Sequence, residues 1–370
     1  MSRIALEDVS SAEKIADRMS TPSKNHTAVH VEKEGVIFEV DGETFWKSET
    51  QVAFPRYGIR NGRKETIAPN WRDRLRDFPV IRTQTEFSER LGRNVMEISL
   101  NDANLQHYDP IGRLGFLRTQ EKHEFYPQIS SLCNVLERIG LDSSKFGIRG
   151  SLLVGQQNEF SDVDLLIYGR ENKETLFSNL NGFYQDSHIG SILKNAAITQ
   201  ELYERRRSHF TGIEYGYFLL HERRRVQGLI NDKTRFVFSI IGEAVEGAST
   251  KTITPICPVF VEGKVINSSN TFCDPAHIRL ELRNLLASGK DQNTRNTIER
   301  ARKSRALDVT VYGDPICAVA FFPGDVLRIQ GFLEKTETAS GEELYKLAIR
   351  PSDDCTKQVK IIKNVNKMLW

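Results

Sequence analysis

Residues 146–169 read FGIRGSLLVGQQNEFSDVDLLIYG, and this stretch decides the fold of the chain. It ends with a largely apolar run from Val163 to Tyr168, which follows a polar loop and stops at a glycine. A run of this kind predicts a strand buried on both faces of a sheet. A second, shorter strand is predicted at Phe146 to Ile148.

Two aspartates stand at the start of the longer strand. Asp162 and Asp164 are two positions apart, so their side chains are expected on one face, roughly 6.5–7 Å apart along the strand. Two carboxylates on one face repel each other unless a cation lies between them. Mg²⁺ suits this arrangement, because it prefers oxygen ligands and keeps positions open for water and phosphate. We therefore predict a Mg²⁺ site at Asp162 and Asp164, with Mn²⁺ as a possible substitute.

The pair Gly150-Ser151 precedes the aspartates and is expected at a turn from strand to helix. Glycine at such a turn lets backbone N–H groups approach a phosphate closely. The positive end of the following helix favours the same anion. The Ser151 hydroxyl can donate to the phosphate oxygens. The order of a phosphate-holding turn, a short helix, a loop and an acidic strand predicts nucleotide chemistry.

The spacing Gly150-Ser151, ten residues, then Asp162-Val163-Asp164 resembles the signature of the DNA polymerase beta-like nucleotidyltransferase superfamily. The segments EGVIFEV (34–40) and VAFPRY (52–57) also resemble an uncharacterised group of prokaryotic proteins with this catalytic domain. The resemblance implies a mixed sheet flanked by helices. It also implies that the Gly-Ser turn holds the triphosphate of a nucleoside triphosphate (NTP), and that the aspartates bind Mg²⁺.

A third carboxylate usually completes this site in the superfamily, on a neighbouring strand. The matching strand here, TRFVFSIIGE (234–243), has Ser239 in its interior. Asp232 lies in the preceding turn and Glu243 follows the strand, so either residue, or no third acid, remains possible. Two functions stay open. One is transfer of a nucleoside monophosphate (NMP) to an acceptor hydroxyl, and the other is a weak or inactive module that binds nucleotide or nucleic acid.

The chain is predicted to be α/β (α+β) with three parts. Residues 1–125 form an N-terminal β-containing region, residues 126–250 the nucleotidyltransferase domain, and residues 256–370 a C-terminal domain. In the last part, a basic helical segment at about 275–305 precedes short strands that predict a small barrel or sandwich. Such a barrel, if it is of the oligonucleotide-binding type, would form a nucleic-acid platform with that helix.

Local patterns predict a few elements more closely. Apolar residues at helical spacing from Ile129 to Ile139 predict a helix that Gly140 ends. Hairpins are predicted at Asp41-Gly42 and at Asn231-Asp232, because each pair lies between two apolar runs.

Arginine clusters offer further phosphate contacts. Arg205 to Arg207 and Arg223 to Arg225 could bind phosphates by bidentate contacts, with Arg224 as the predicted nucleotide ligand, or could form solvated helix faces. Residues 279–305 carry eight Lys or Arg against three acids, which favours RNA or DNA unless this segment is also a solvated helix.

Composition restricts the remaining classes. Lys and Arg total 51 and Asp and Glu total 49, so the chain as a whole is not a strongly basic nucleic-acid binder. Five cysteines without CxxC spacing argue against a zinc site or a disulfide framework. The start, MSRIALEDVSSAEK, lacks the apolar segment of a signal peptide. We expect a cytoplasmic protein that does not span a membrane, of undetermined oligomeric state.

Overall fold

The computed structural model describes residues 28–41, 50–61, 63–67, 77–83, 85–88, 93–99, 101–209, 215–241, 252–271, 276–287, 291–311, 321–337, 343–349 and 359–363. These residues form three sheets, one after another along the chain. Helices pack mainly on the second sheet. The chain is therefore mixed α/β, in agreement with the predicted class.

The N-terminal sheet has the order β5-β6-β3-β2-β1-β7, with β4 attached to β3. Residues Glu34 and Gly35 join its first two strands with φ angles of 51° and 75°, the signature of a tight hairpin. The hairpin predicted at Asp41-Gly42 extends beyond the described residues. The strands are β1 (Ala28–Lys33), β2 (Val36–Asp41), β3 (Thr50–Arg60), β4 (Arg63–Thr66), β5 (Thr85–Ser88), β6 (Arg93–Ser99) and β7 (Gln106–Tyr108).

The central sheet is mixed, with the order β10-β11-β12-β9-β8. Strands β9 and β12 are parallel, and the other neighbours are antiparallel. The predicted strands around the aspartates and the hairpin at Asn231-Asp232 are confirmed, and both turn residues have positive φ. The strands are β8 (Phe146–Ile148), β9 (Val163–Tyr168), β10 (Ile189–Gly190), β11 (Gln227–Ile230) and β12 (Thr234–Ile241).

The predicted helix over residues 129–139 is confirmed, since it spans Tyr126–Arg138 and buries its apolar stripe against the central sheet. Gly140 follows it with a φ of 96°. No helix in the described ranges has both the length and the apolar character that crossing a membrane requires. The helices are α1 (Pro79–Thr83), α2 (Pro110–Leu117), α3 (Tyr126–Arg138), α4 (Gly150–Leu153), α5 (Arg170–Ser178), α6 (Leu180–Gln185), α7 (Ala196–His209), α8 (Tyr215–Glu222) and α9 (Gln292–Lys303).

The C-terminal sheet closes into a five-stranded barrel, which decides between the two predicted forms. The ring runs β13-β14-β15-β17-β16 and closes because β16 also pairs with β13, while β18 adds to β16. The barrel interior is filled by aliphatic side chains such as Val261, Leu280 and Leu347. The strands are β13 (Thr252–Asn270), β14 (Ala276–Leu286), β15 (Ala306–Val311), β16 (Val326–Glu337), β17 (Glu343–Ile349) and β18 (Val359–Lys363).

The prediction of one basic helix at about 275–305 is wrong in its first half. Residues 276–286 form strand β14, and only Gln292–Lys303 is helical. The reason is visible in the alternation of buried Ile278 and Leu280 with exposed Arg279 and Glu281, which is the period of a strand. The prediction of a helix rested on the number of charged residues, whereas their alternating spacing indicates a strand.

Candidate functional site

The two aspartates lie at the start of β9, on an edge of the central sheet that we call the acid edge (Asp162 and Asp164). Both side chains are partly exposed. In the parallel pairing of β9 with β12, Asp164 lies beside Val237. Alternate residues of neighbouring strands share a face, so Arg235, Val237 and the two aspartates point the same way. The acid edge is therefore open to solvent, as a ligand site requires.

Gly150 lies directly against the acid edge. Its φ is 68°, a left-handed conformation that side chains rarely adopt, and a Cβ atom there would lie 2.3 Å from Oδ2 of Asp164. The backbone N–H of Arg149 donates to the carbonyl oxygen of Asp164 at 2.9 Å, which fixes the turn beside the strand. We call Arg149 to Ser151 the glycine turn. The structure thus brings together the residues that the sequence predicted for phosphate and for metal.

Ser151 is the second residue of the one-turn helix α4 and is almost fully buried. The carbonyl oxygen of Ser151 accepts a hydrogen bond from the N–H of Gln156 at 2.9 Å, so the short helix is closed by the loop that follows it. Its position next to Gly150 is the one predicted.

Arg235 of β12 forms an ion pair with Asp162, which the sequence analysis did not predict. The two side chains are 19% and 27% exposed, so the pair is shielded only in part. The Arg235 Nε atom is buried and has no hydrogen-bond partner among the described residues. The guanidinium balances one of the two negative charges of the acid edge.

The strand that was expected to carry a third carboxylate carries none. Arg235, Val237 and Ser239 are its residues on the face of the acid edge. The Ser239 hydroxyl accepts a hydrogen bond from Nη1 of Arg149 at 3.0 Å. Asp232 lies in an exposed turn next to Gly190, where a Cβ atom would lie 2.4 Å from its Oδ1. Glu243 is outside the described residues.

The fit of a divalent cation can be judged from these side chains. Within the part of the chain that the structure describes, no three His, Cys, Asp or Glu side chains form a metal site together. Mg²⁺ does not need such a cage, because proteins commonly hold it by one or two carboxylates while water and substrate phosphates complete the octahedron. The two partly exposed carboxylates of the acid edge are therefore compatible with Mg²⁺ as ligands.

The N-terminal sheet also contributes to the site, although the sequence analysis treated it as a separate region. Glu39 of β2 is 3.4 Å from Nη2 of Arg149 and 3.0 Å from Nε of Arg56. The Arg149 side chain is only 6% exposed, so this network is well shielded from water. Arg149 therefore links three elements: Glu39 of the N-terminal sheet, Ser239 of β12 and the glycine turn that contains it.

Tyr57 and Lys64 extend this contact toward the acid edge. The Lys64 Nζ atom lies 4.5 Å from the centre of the Tyr57 ring. Burial lowers the pKa of Lys64, and the carboxylates of Asp164 and Asp162 oppose that change. Burial raises the pKa of Tyr57, Arg56 opposes this, and Asp164 adds to it. The charge of Lys64 thus interacts with both aspartates, and the phenol of Tyr57 interacts with Asp164.

Arg224 is not where its predicted role requires. Its guanidinium is fully buried and donates to both carboxylate oxygens of Asp325, at 2.6 Å and 3.2 Å. It also lies 5.0 Å from the centre of the Phe322 ring. A phosphate in solution cannot reach a guanidinium that is enclosed in this way. The predicted nucleotide contact of Arg224 is therefore wrong, and this residue instead forms an ion pair between the end of α8 and the barrel. The side chains of Arg205 to Arg207 are outside the description.

The predicted nucleic-acid segment 279–305 has less unbalanced charge than its composition indicates. Arg279 is 3.7 Å from Asp308, Arg300 is 3.1 Å from Glu343, and Arg302 pairs with Glu299. Arg283 on β14 and Lys303 at the end of α9 are exposed. Binding of RNA or DNA by this segment therefore depends on a smaller set of cations than the eight that the sequence contains.

Comparison with known proteins identifies a similar protein, but its name states no activity. No family model matches the chain, and no solved structure matches it. The chain is 26% identical over 221 residues to a protein of Methanocaldococcus jannaschii whose name is "Uncharacterized protein MJ1086". The match covers 59% of this chain and 58% of the archaeal protein, so it spans less than two thirds of that relative. The chain is thus similar to an archaeal protein over more than half its length, and its chemistry has to be inferred from the geometry.

Proposed function

We propose that this protein is a Mg²⁺-dependent nucleotidyltransferase of the DNA polymerase beta-like type, which moves an NMP from an NTP to an acceptor hydroxyl. The observation that carries the proposal is the contact between the glycine turn and the acid edge. The Asp164 carboxylate occupies the space where any side chain at position 150 would begin. A group bound to these carboxylates would therefore also touch the backbone of the turn.

Each residue of the site has a defined task in this proposal. Asp162 and Asp164 bind Mg²⁺, and Mn²⁺ would suit the same oxygen ligands. The bound metal would polarise the α-phosphate and neutralise the leaving pyrophosphate. Gly150 lets backbone N–H groups approach the triphosphate, and Ser151 donates its hydroxyl to a phosphate oxygen. The chain itself contributes mainly positioning and charge, as in other phosphoryl transfers.

Arg235 neutralises part of the charge of the site when no metal is bound. It pairs with Asp162 before the metal arrives, so two adjacent carboxylates are not left bare. If Asp162 held a cation, Arg235 would have to share or release the carboxylate. The partly exposed guanidinium could then donate to a phosphate oxygen instead.

The test uses the full chain, α-labelled NTPs, Mg²⁺ and candidate acceptors, including RNA 3′ ends and small hydroxyl compounds. Loss of metal-borne charge stabilisation is worth several kcal/mol, so Asp164→Asn and Asp162→Asn should lower labelling by about 10²–10³-fold. Glu174→Gln, an exposed carboxylate of α5 outside the acid edge, is the control and should label like wild type. Chelation of Mg²⁺ should abolish labelling. Equal labelling by wild type and Asp164→Asn would refute the proposal.

A second candidate is a module with the same fold that binds a nucleotide without turning it over. The observation that favours it is the absence of a carboxylate on β12, where Ser239 accepts from Arg149 instead. Without that base, the proton of the acceptor must pass to water. Calorimetry decides between the two: Mg²⁺-dependent NTP binding without pyrophosphate release with any tested acceptor favours the module.

The barrel supplies a candidate surface for a nucleic-acid acceptor. Five-stranded barrels of the oligonucleotide-binding type hold single strands on an outer face. We propose that exposed cations of segment 279–305 contact RNA or DNA, and that the protein acts in the cytoplasm. The binding of a labelled RNA should then weaken steeply with salt. Charge reversal at Arg283 and Lys303 that left RNA affinity unchanged would reject the surface.

A further inference from the structure

The β3–β4 hairpin of the N-terminal sheet carries a lysine toward the acid edge. In this hairpin Lys64 lies opposite Ile59, and Tyr57 lies opposite Thr66. The ammonium of Lys64 lies 4.5 Å from the Tyr57 ring centre, within the range of a cation–π contact. The ring restricts where the flexible side chain can go, and both aspartates act on the charge it carries. Lys64 therefore belongs to the hairpin of Arg56, whose partner Glu39 also contacts Arg149 of the glycine turn.

The hairpin is tied to the site by a second set of contacts. Glu39 on β2 bridges Arg149 of the glycine turn and Arg56, which precedes Tyr57 on β3. The Glu39 side chain is 13% exposed, so water screens these pairs weakly. The N-terminal sheet thus contacts Arg149, the first residue of the glycine turn. A lysine of this sheet can therefore contact a ligand that is bound at the turn.

The other cations near the acid edge have different engagements. Arg149 directs one guanidinium nitrogen to Ser239 and another to Glu39. Arg235 pairs with Asp162. Lysine is a compact charge with three rotatable donors on a long stem, and it commonly binds phosphate as a point charge. A triphosphate next to two carboxylates needs a further positive charge, because the aspartates would already neutralise part of the charge of a bound metal ion.

On the basis of the proposed function, we propose that Lys64 is a phosphate-binding residue of the active site, which contacts the part of the NTP that leaves as pyrophosphate. The N-terminal sheet then completes the nucleotide site and is not a separate module. The lysine should distinguish a triphosphate from a monophosphate, since a monophosphate lacks the two phosphoryl groups that leave as pyrophosphate.

The test measures Mg²⁺-dependent binding of each of the four ribonucleoside triphosphates, and of the matching monophosphates, to the full chain by calorimetry. A charged hydrogen bond is worth about 1.5–3 kcal/mol, so Lys64→Gln should weaken NTP binding by about 10–100-fold. Lys64→Arg should restore most of it. Monophosphate binding should be the same for wild type and Lys64→Gln. Lys33→Gln, which removes a paired lysine elsewhere in the same sheet, is the matched control and should bind like wild type.

The outcomes separate this inference from the proposed function. If Lys64→Gln binds NTP like wild type while Asp164→Asn does not bind, the lysine has no phosphate contact but the site stands. If Lys64→Gln weakens NTP and NMP equally, its role is structural and the inference is overturned. If wild type shows no Mg²⁺-dependent NTP binding, both proposals fail together.

Discussion

Two charged centres of this protein contain the same residue types and have opposite surroundings. At the acid edge, Arg235 faces Asp162 with both side chains partly exposed. Between the central domain and the barrel, Arg224 faces Asp325 with both side chains fully buried. The first pair belongs to the acid edge, which lies against the glycine turn. The second is closed by two hydrogen bonds and an aromatic ring.

The burial of an ion pair determines which role the pair can have. A sealed pair has already lost its hydration, so removing one partner leaves an uncompensated charge and destabilises the fold. A half-open pair is weak, because water competes with it, and it can exchange one partner for a ligand. Arg224, which the sequence suggested for nucleotide binding, belongs to the buried kind of pair. Arg235, which the sequence did not suggest, belongs to the half-open kind.

The largest expected effect tests the buried centre. Arg224→Met should destabilise the protein by about 3–5 kcal/mol, because Asp325 would remain buried without its partner. The measurement is urea unfolding of the full chain. Arg223→Met, an exposed neighbour, is the control and should change the midpoint little. A variant at Arg224 that kept its stability but lost nucleotide binding would return this arginine to the site.

The next effect tests the glycine turn. Gly150→Ala forces a side chain into a left-handed backbone and against the Asp164 carboxylate, so the carboxylate must move. A displacement of about 1 Å at a reacting centre can cost about 10²-fold in rate, and labelling should fall by that order. The control is Gly182→Ala in α6, where a Cβ atom meets no heavy atom within 4 Å. Unchanged labelling by Gly150→Ala would separate the turn from the chemistry.

A smaller effect, of opposite sign, is expected at the half-open pair. Arg235→Gln removes the cation that competes for Asp162, so Mg²⁺ should bind the nucleotide-free protein more tightly. Partly exposed pairs are worth about 0.2–1 kcal/mol, which corresponds to at most about fivefold. Calorimetric titration with Mg²⁺ measures this change. Arg170→Gln, which breaks an exposed pair with Glu174, serves as control. Weaker Mg²⁺ binding by Arg235→Gln would show that the arginine supports the site and does not compete for it.

The smallest effect is expected at Ser151. Ser151→Ala removes one hydrogen bond to phosphate, worth about 0.5–1.5 kcal/mol, so KM for the NTP should rise by about 2–10-fold with little change in kcat. Steady-state labelling kinetics at varied NTP concentration test this. Ser178→Ala, an exposed serine at the end of α5, is the control. A large fall in kcat at unchanged KM would place the hydroxyl at the transition state instead.

Local sequence signals were sufficient for the core of the central sheet. The apolar run of β9, the stripe of α3 and the turn at Asn231-Asp232 each follow from short-range patterns, and all are confirmed. The prediction of a helix at strand β14 was wrong, because it rested on the number of charged residues and not on the alternation of buried and exposed positions. Residues 1–125 gave few local signals, so the β3–β4 hairpin and its contact with the acid edge were not predicted.

Relations between neighbours along the chain, such as two aspartates that are two apart on a strand or a glycine before a short helix, are readable from the sequence, because they depend on local spacing. The distant groups that contact these residues become apparent only in the folded protein. Glu39 meets Arg149 across 110 positions, Arg224 meets Asp325 across 101, and Arg235 meets Asp162 across 73. Such pairs are set by how sheets pack and what they exclude from water, and no local spacing encodes that.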